Sequence, residues 1–335
     1  MKIVMTLDYE LFNGINSGTV SNCLITPCDE LLKVLDKYDF KATFFVDTVF
    51  LVRLIGLKDY YPELQEDWDR IKSQLIRLVE GGHDLQLHLH PQWYHASYNN
   101  GLWKSVLTDY KLSDMSPDEV DDMFEKGISL MRDITGRPVS AFRAGAYCIQ
   151  TLPYLNTVFS QHKIRIDSSV NRNKASKTIK YQWYDYTRIP DSYLYQFNED
   201  VTTSEDNGIF TEVSIPSYHI SLYRFYLNYI KRKLSKFSKT HWGDGTGSIG
   251  TLEGRKSSLK ARILNYIRPS RIAASIDAAN ADNLDWIFHL EMKKGSDYMM
   301  IMGHPKALTP YSLYRLNKFL SRYAASTENV TISDF

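Results

Sequence analysis

The chain is poor in cysteine and has no long apolar run. Three cysteines in 335 residues, Cys23, Cys28 and Cys148, cannot build a disulfide framework and read as thiols in a reducing compartment. The most apolar stretch, ATFFVDTVFLVRLIGL, is broken by Asp47 and Arg53 and is too short for a good membrane span. The opening MKIVMTLDYE is a strand with an acidic end and lacks the layout of a secretory signal. The expected location is therefore cytoplasmic. No internal repeat or low-complexity tract stands out. Charge of one sign is also missing overall, with a net charge of +1. That balance is uneven: from Val213 to Ile276 twelve Lys/Arg face only two acids, Asp244 and Glu253.

What is present is an alternation of strand and helix signals. KIVMTLD reads as a strand, CDELLKVLDKYDF as an amphipathic helix and KATFFVD as a buried strand. WDRIKSQLIRLVEGG is a helix that ends at glycines. SPDEVDDMFEKGISLMRDITG is the clearest helix: Ser116 caps it, Glu119 completes a capping box and Gly136 ends it. PVSAFRAGAYC and IRIDSSV read as strands, with IQTLPYLNTVFSQHK as a helix between them. Near the end, NLDWIFHLEMKKG and SLYRLNKFLSRYA are helices on either side of the strand YMMIMGHP. Such alternation implies an α/β fold with a parallel sheet and outer helices, and its unit count favours a distorted (β/α) barrel of seven or eight strands. Residues 1–335 are read as one domain. An inserted α+β segment at about 171–276 breaks the pattern, with aromatic strand-like pieces, a basic aromatic helix at 221–239, the turn HWGDGTGSIG and a second basic helical run.

Reactive residues recur at the strand ends, where α/β barrels build their sites. In GHDLQLHLHP, alternation puts Leu85, Leu87 and Leu89 on one face and Asp84, Gln86, His88 and His90 on the other. The first strand ends with Asp8 and Glu10 on one parity, AFRAGAYC delivers Arg143 and Tyr147, IRIDSSV delivers Asp167, and YMMIMGHP ends with His304. Two imidazoles plus a carboxylate form a three-ligand set for a catalytic zinc or similar divalent ion. A second carboxylate can take a proton from water, an arginine can keep it ionised, and a histidine opposite can protonate a leaving group. The bland alternatives are backbone-bonded histidines and solvated strand ends. His83, at the start of its strand, reads as structural. His95, just past Pro91, is an alternative second ligand. Trp93, Tyr94 and Tyr147 can stack on a sugar ring, though aromatics more often pack the core.

The order of these motifs resembles the polysaccharide deacetylase family (carbohydrate esterase family four, the chitin-oligosaccharide deacetylase group). TLDYE stands at the aspartate motif, KATFFV at a buried strand, GGHDLQLHLHP at the histidine motif, FRAGAY at the arginine motif, DSSV at the fourth motif and GHP at the final one. The resemblance covers roughly residues 1–170 and 298–306, with no counterpart for 171–276. It implies Asp8 as general base, with Glu10, His88 and His90 as ligands of one divalent ion, zinc being the first choice. It also implies that Arg143 holds Asp8, and that Asp167 pairs with His304 as the general acid. Two departures stand out. Tyr9 separates the two acids, and the histidines are spaced H-x-H where many members have H-x-x-x-H.

The activity this implies is hydrolysis of an acetyl group from an N-acetylated sugar. The expected substrate is nucleotide- or lipid-linked, within surface polysaccharide or glycolipid biosynthesis. The alternatives are an O-acetyl esterase of the same family and a glycan-binding protein without turnover. Amidohydrolases also use H-x-H, but on their first barrel strand. The basic aromatic stretch 221–239 suggests peripheral contact with the inner membrane face. No nucleic-acid-binding motif accompanies its charge.

Overall fold

The computed structural model describes residues 1–150, 152–177, 182–246 and 270–335. The second basic helical run expected after the glycine-rich turn lies outside them. The described chain divides into two compact units, one of residues 1–41 and 217–330, the other of residues 42–216 and 331–335.

The second unit is built on a sheet whose strands run in the order Leu194–Phe197, Phe210–Val213, Ile166–Asp167, Ala141–Ala144, Asp84–Leu89, Thr43–Asp47. All neighbours are parallel except the Leu194–Phe197 edge strand, which is antiparallel. Strands Asp84–Leu89 and Thr43–Asp47 are buried along almost their whole length, as expected of parallel strands covered on both faces. The covering helices include Thr48–Leu57, Pro62–Glu80 and Pro117–Thr135. Asp47, read as a break in an apolar run, ends its strand and caps the next helix by accepting from the Phe50 amide at 3.4 Å. Ser116, Glu119 and Gly136 cap the Pro117–Thr135 helix as the sequence indicates, Gly136 with a φ of 64°. The helix read from Ile149 starts later, at Leu155. Pro153 disfavours helical backbone at the residue before it.

In the first unit, Lys2–Tyr9 pairs in parallel with Tyr298–Gly303 from Lys2↔Tyr298 to Leu7↔Gly303, and with Glu328–Val330 over Lys2–Val4. A short run beside Tyr298–Gly303 extends this pairing: Met302 N donates to Ala274 O and Ile276 N to Met302 O, both at 2.9 Å. Helices Thr26–Leu35, Leu284–Lys294 and Pro310–Tyr323 pack here. The three cysteines are buried and unbridged. No described helix is long and apolar enough to cross a membrane.

Helix-to-helix contact is tight at Gly127, where an added Cβ would lie 2.4 Å from Thr48 Oγ1 and 3.1 Å from Thr48 Cβ. Gly→Ala in an open helix interior gains about 1 kcal/mol. Here overpacking, typically about 1–3 kcal/mol, opposes that gain. Gly127→Ala is expected to lower stability in urea titration, whereas Gly56→Ala, which meets nothing within 4 Å, should not.

Candidate active site

Each unit carries half of the reactive residues. In the first, the parallel register sets the chemistry. Because Leu7 pairs with Gly303, the next residues, Asp8 and His304, leave their strands side by side. His304 Nε2 lies 3.4 Å from Asp8 Oδ2 and 3.7 Å from Glu10 Oε1. Its Nδ1 lies 2.8 Å from Asp277 Oδ2, and its backbone N–H donates to Asp277 Oδ1, also at 2.8 Å. Burial alone would push the imidazole toward neutrality, but the charge and hydrogen bond of Asp277, joined by Asp8, hold its pKa well above the usual value. These carboxylates therefore favour the charged form of His304.

Glu10 is buried and its Oε1 accepts from Lys306 Nζ at 2.8 Å. The same ammonium donates to Leu11 O at 2.6 Å and sits 5.0 Å from the Phe12 ring centroid. The glycine-rich turn closes over this corner. Gly243 N donates to Lys306 O, and a Cβ on Gly245 would fall 2.4 Å from Phe12. Asp244 binds the 19–22 segment through Thr19 N at 2.7 Å and Asn22 Nδ2 at 2.9 Å.

In the second unit, Asp47, His88 and Arg143 form one row across three strands. His88 and His90 are both buried and face the same way, their rings edge-on with centroids 4.7 Å apart. His88 Nδ1 lies 2.7 Å from the Arg143 carbonyl oxygen. Only an N–H can bond there, so the lone pair is on Nε2, the tautomer a metal ligand needs. His90 Nδ1 lies 3.0 Å from Gln92 Nε2, while Gln92 Oε1 is buried without a hydrogen-bond partner. Turning that amide over presents Oε1 to an Nδ1–H and gives His90 the same tautomer. The donor chemistry of this pair fits a divalent ion.

Arg143 is fully buried, donates to Ser168 O and Ser168 Oγ at 2.9 Å each, and lies over the Phe45 ring at 4.2 Å. Asp167 accepts from Ser169 Oγ at 2.7 Å and Ser169 N at 3.1 Å. Across the register from it stands Glu212, also fully buried. Burial drives the Glu212 pKa far up, and the charge of Asp167 adds to it. Burial raises Asp167 too, against hydrogen bonds from Glu212 and Ser169. Of the two carboxyls, Glu212 is pushed the more strongly toward its protonated form. Just past Arg143, Ala146 and Tyr147 both take positive φ, 49° and 65°. The Tyr147 carbonyl accepts from Tyr186 Oη at 2.6 Å, and the half-buried ring stays at the site's arginine strand.

Three sequence readings change. The partner of His304 is Asp277, not Asp167, because the run Ala274–Ile276 beside the last barrel strand delivers Asp277 to Nδ1, while Asp167 is bonded within its own loop. Trp93 cannot stack on a sugar: it is fully buried against Phe50 and Trp103, at 5.2 and 5.9 Å. His95 is not a ligand candidate, since it is half-exposed with Nδ1 3.1 Å from Asp109 and Nε2 3.3 Å from Glu119. His83 is structural as read, accepting from Ala42 N at 3.1 Å. Asp277, Lys306 and Glu212 were missed. Only the proximity of Lys306 to GHP was a signal in the sequence; Glu212 and Asp277 lie in or next to the stretch without a motif.

Residues 22–155 match the polysaccharide deacetylase family model, so the resemblance to that family is shown over this stretch, which holds His88, His90 and Arg143. That family hydrolyses acetyl groups from sugars. No curated protein matches the sequence. Among solved structures, a protein from Mycobacterium smegmatis provisionally classed as a polysaccharide deacetylase aligns over 99% of this chain and 87% of its own. The identity is 12% and the TM-score 0.51, so this likeness shows the fold alone, and the (β/α) class read from the sequence stands. PuuE allantoinase aligns over 99% of this chain and 88% of its own at 12% identity and a TM-score of 0.48. The peptidoglycan deacetylase PdaC from Bacillus subtilis, with the same coverage, reaches 13% and 0.38. Neither of these two carries weight.

A Cβ on Gly145 would lie 2.6 Å from His90 Nδ1 and 2.7 Å from Leu89 O. Gly145→Ala is therefore expected to displace the His90 ring and weaken zinc binding by about tenfold or more, read by competition with a chromogenic chelator. An unchanged affinity would show that His90 does not bind the ion.

Proposed function

We propose that the protein is a metal-dependent hydrolase that removes the acetyl group from an N-acetylated sugar. The observation that carries this is the His304 cluster: an imidazole fixed by Asp277 on one nitrogen and facing the paired carboxylates Asp8 and Glu10 with the other. Glu10, His88 and His90, all buried, are the ligand set carried from the resemblance. Zinc is our choice of ion, because two imidazoles and a carboxylate suit it. When bound, the ion would polarise the acetyl carbonyl and the attacking water.

The chain's own groups divide the proton work. Asp8 takes the proton from water, and Arg143 keeps Asp8 ionised in the reading carried from the resemblance. His304 gives its Nε2 proton to the departing amine nitrogen. Asp277 is a positioning residue: it selects the Nδ1–H form and keeps the ring charged. Lys306 limits the negative charge at Glu10. Asp167 supports the arginine strand through Ser169, whose hydroxyl accepts from Ala144 N. Tyr147 is the remaining candidate for stacking on the sugar. A nucleotide- or lipid-linked N-acetyl sugar is the substrate class we carry forward.

The test is metal content by elemental analysis, beside hydrolysis of N-acetylated chito-oligosaccharides and O-acetylated xylan. About one equivalent of zinc or a similar ion is expected, lost in His88→Ala/His90→Ala, with acetate released from the N-acetyl substrate. Saccharide binding without release of acetate from either substrate would sink the reading.

Asp277→Asn removes the charge that holds the His304 pKa up, so that pKa falls. A general acid must be protonated to act, so the alkaline limb of kcat/KM should move to lower pH while the metal stays bound. An unmoved limb would mean that His304 is not the acid.

A further inference from the structure

The Leu222–Leu234 helix is built inside out. At 3.6 residues per turn, Arg224, Asn228 and Arg232 share one face, and Tyr223, Tyr226, Leu227, Ile230 and Leu234 share the opposite face. A helix on a water-soluble core buries the second set. Here the first set is turned inward: Asn228 is buried and bonds Asn283 Oδ1 at 2.9 Å, the Arg224 guanidinium lies 4.5 Å over Trp286, and Arg232 reaches Asp282 at 3.7 Å. The apolar stripe faces out, with Tyr223 75%, Ile230 54% and Leu234 82% exposed. The polar anchors fix this orientation, because turning the helix over would take Arg232 from the buried Asp282 and Asn228 from Asn283.

An outward apolar stripe of this kind marks a contact surface, and its charge says what covers it. Lys231 and Lys233 fall about a quarter turn to either side of the stripe, and both are exposed, as are Lys236 and Lys239 just beyond the helix. From Ser217 to Trp242 there is no Asp or Glu. A protein partner for a Leu–Ile–Tyr stripe needs no such one-signed rim. An anionic bilayer uses both parts, the stripe entering the headgroup boundary and the lysines meeting the phosphates. Two exposed tyrosines on the stripe suit that boundary. We propose that this helix docks the protein on an anionic lipid surface. The proposal rests on the helix alone and stands or falls separately from the acetyl chemistry.

The test is co-sedimentation of the full-length protein with vesicles of equal parts phosphatidylcholine and phosphatidylglycerol, against phosphatidylcholine alone. Binding is expected to the mixed vesicles only, and to fall by about tenfold or more in 0.5 M salt. Leu227→Ser/Ile230→Ser/Leu234→Ser and Lys231→Gln/Lys233→Gln/Lys236→Gln should each lose it by a similar factor while circular dichroism stays that of the wild type. None of these residues is in the catalytic machinery, and all six are on the outer side, so the inner anchors are left intact. Absence of binding to the mixed vesicles at low salt would overturn the proposal, as would wild-type binding by either variant. A dimer in sedimentation velocity that the serine variant converts to monomer would assign the stripe to a second copy and overturn it as well.

Discussion

The parallel pairing of Lys2–Tyr9 with Tyr298–Gly303 is the constraint on which the first unit's chemistry depends. It joins segments almost the whole chain apart, and its register ends at Leu7↔Gly303. Asp8 and His304 are therefore neighbours by backbone geometry before any side-chain preference acts. Gly303 also has to be glycine-sized, because a Cβ there would meet Ile276 Cγ1 at 2.5 Å. That close approach lets the Ala274–Ile276 run lie beside the strand and bring Asp277 to the far side of the imidazole. A one-residue slip would send His304 to the opposite face, away from Asp277.

Charge compensation explains why so many ionisable groups can be buried at once. Isolated buried charges are costly, and paired ones are tolerated when hydrogen bonds complete the pair. In the first unit three carboxylates, Asp8, Glu10 and Asp277, meet His304 and Lys306. In the second unit the solution is different. Arg143 offers one positive charge near two carboxyls, and burial pushes both toward the neutral form, Glu212 the more strongly.

The main strands and the shared face of His88 and His90 were legible because they follow short-range rules. Period-two alternation put His88 and His90 on one face, and the rings do face the same way. The Ser116–Gly136 helix follows from capping chemistry that acts within one turn. What was not legible depends on contacts far apart in sequence. The pairing of His304 with Asp277 rather than Asp167 is set by a three-residue run beside a strand, too short to leave a periodic signal. Trp93 looks like a sugar platform in HPQWYH, and only the placement of Phe50 and Trp103 around it shows that it is core. The basic helix was expected over 221–239 and forms over Leu222–Leu234, and its inverted orientation comes from Asn283, Asp282 and Trp286, fifty or more residues further on.

The segment between Asn171 and Ile276 therefore has to be read differently from an appendage. It has no motif of its own, yet it supplies Glu212, which hydrogen-bonds Asp167 and favours its ionised form against the burial that opposes it. It also supplies the turn at Trp242–Thr246, which clamps Phe12 and the Lys306 backbone around Glu10. Its last residues form the run that presents Asp277. These three contributions act on residues from the flanking motifs, and each is a matter of position and protonation rather than of direct chemistry. Motif residues are recognisable because the reaction dictates their type. The residues that hold and charge them are dictated by local geometry, which different chains can satisfy with different segments.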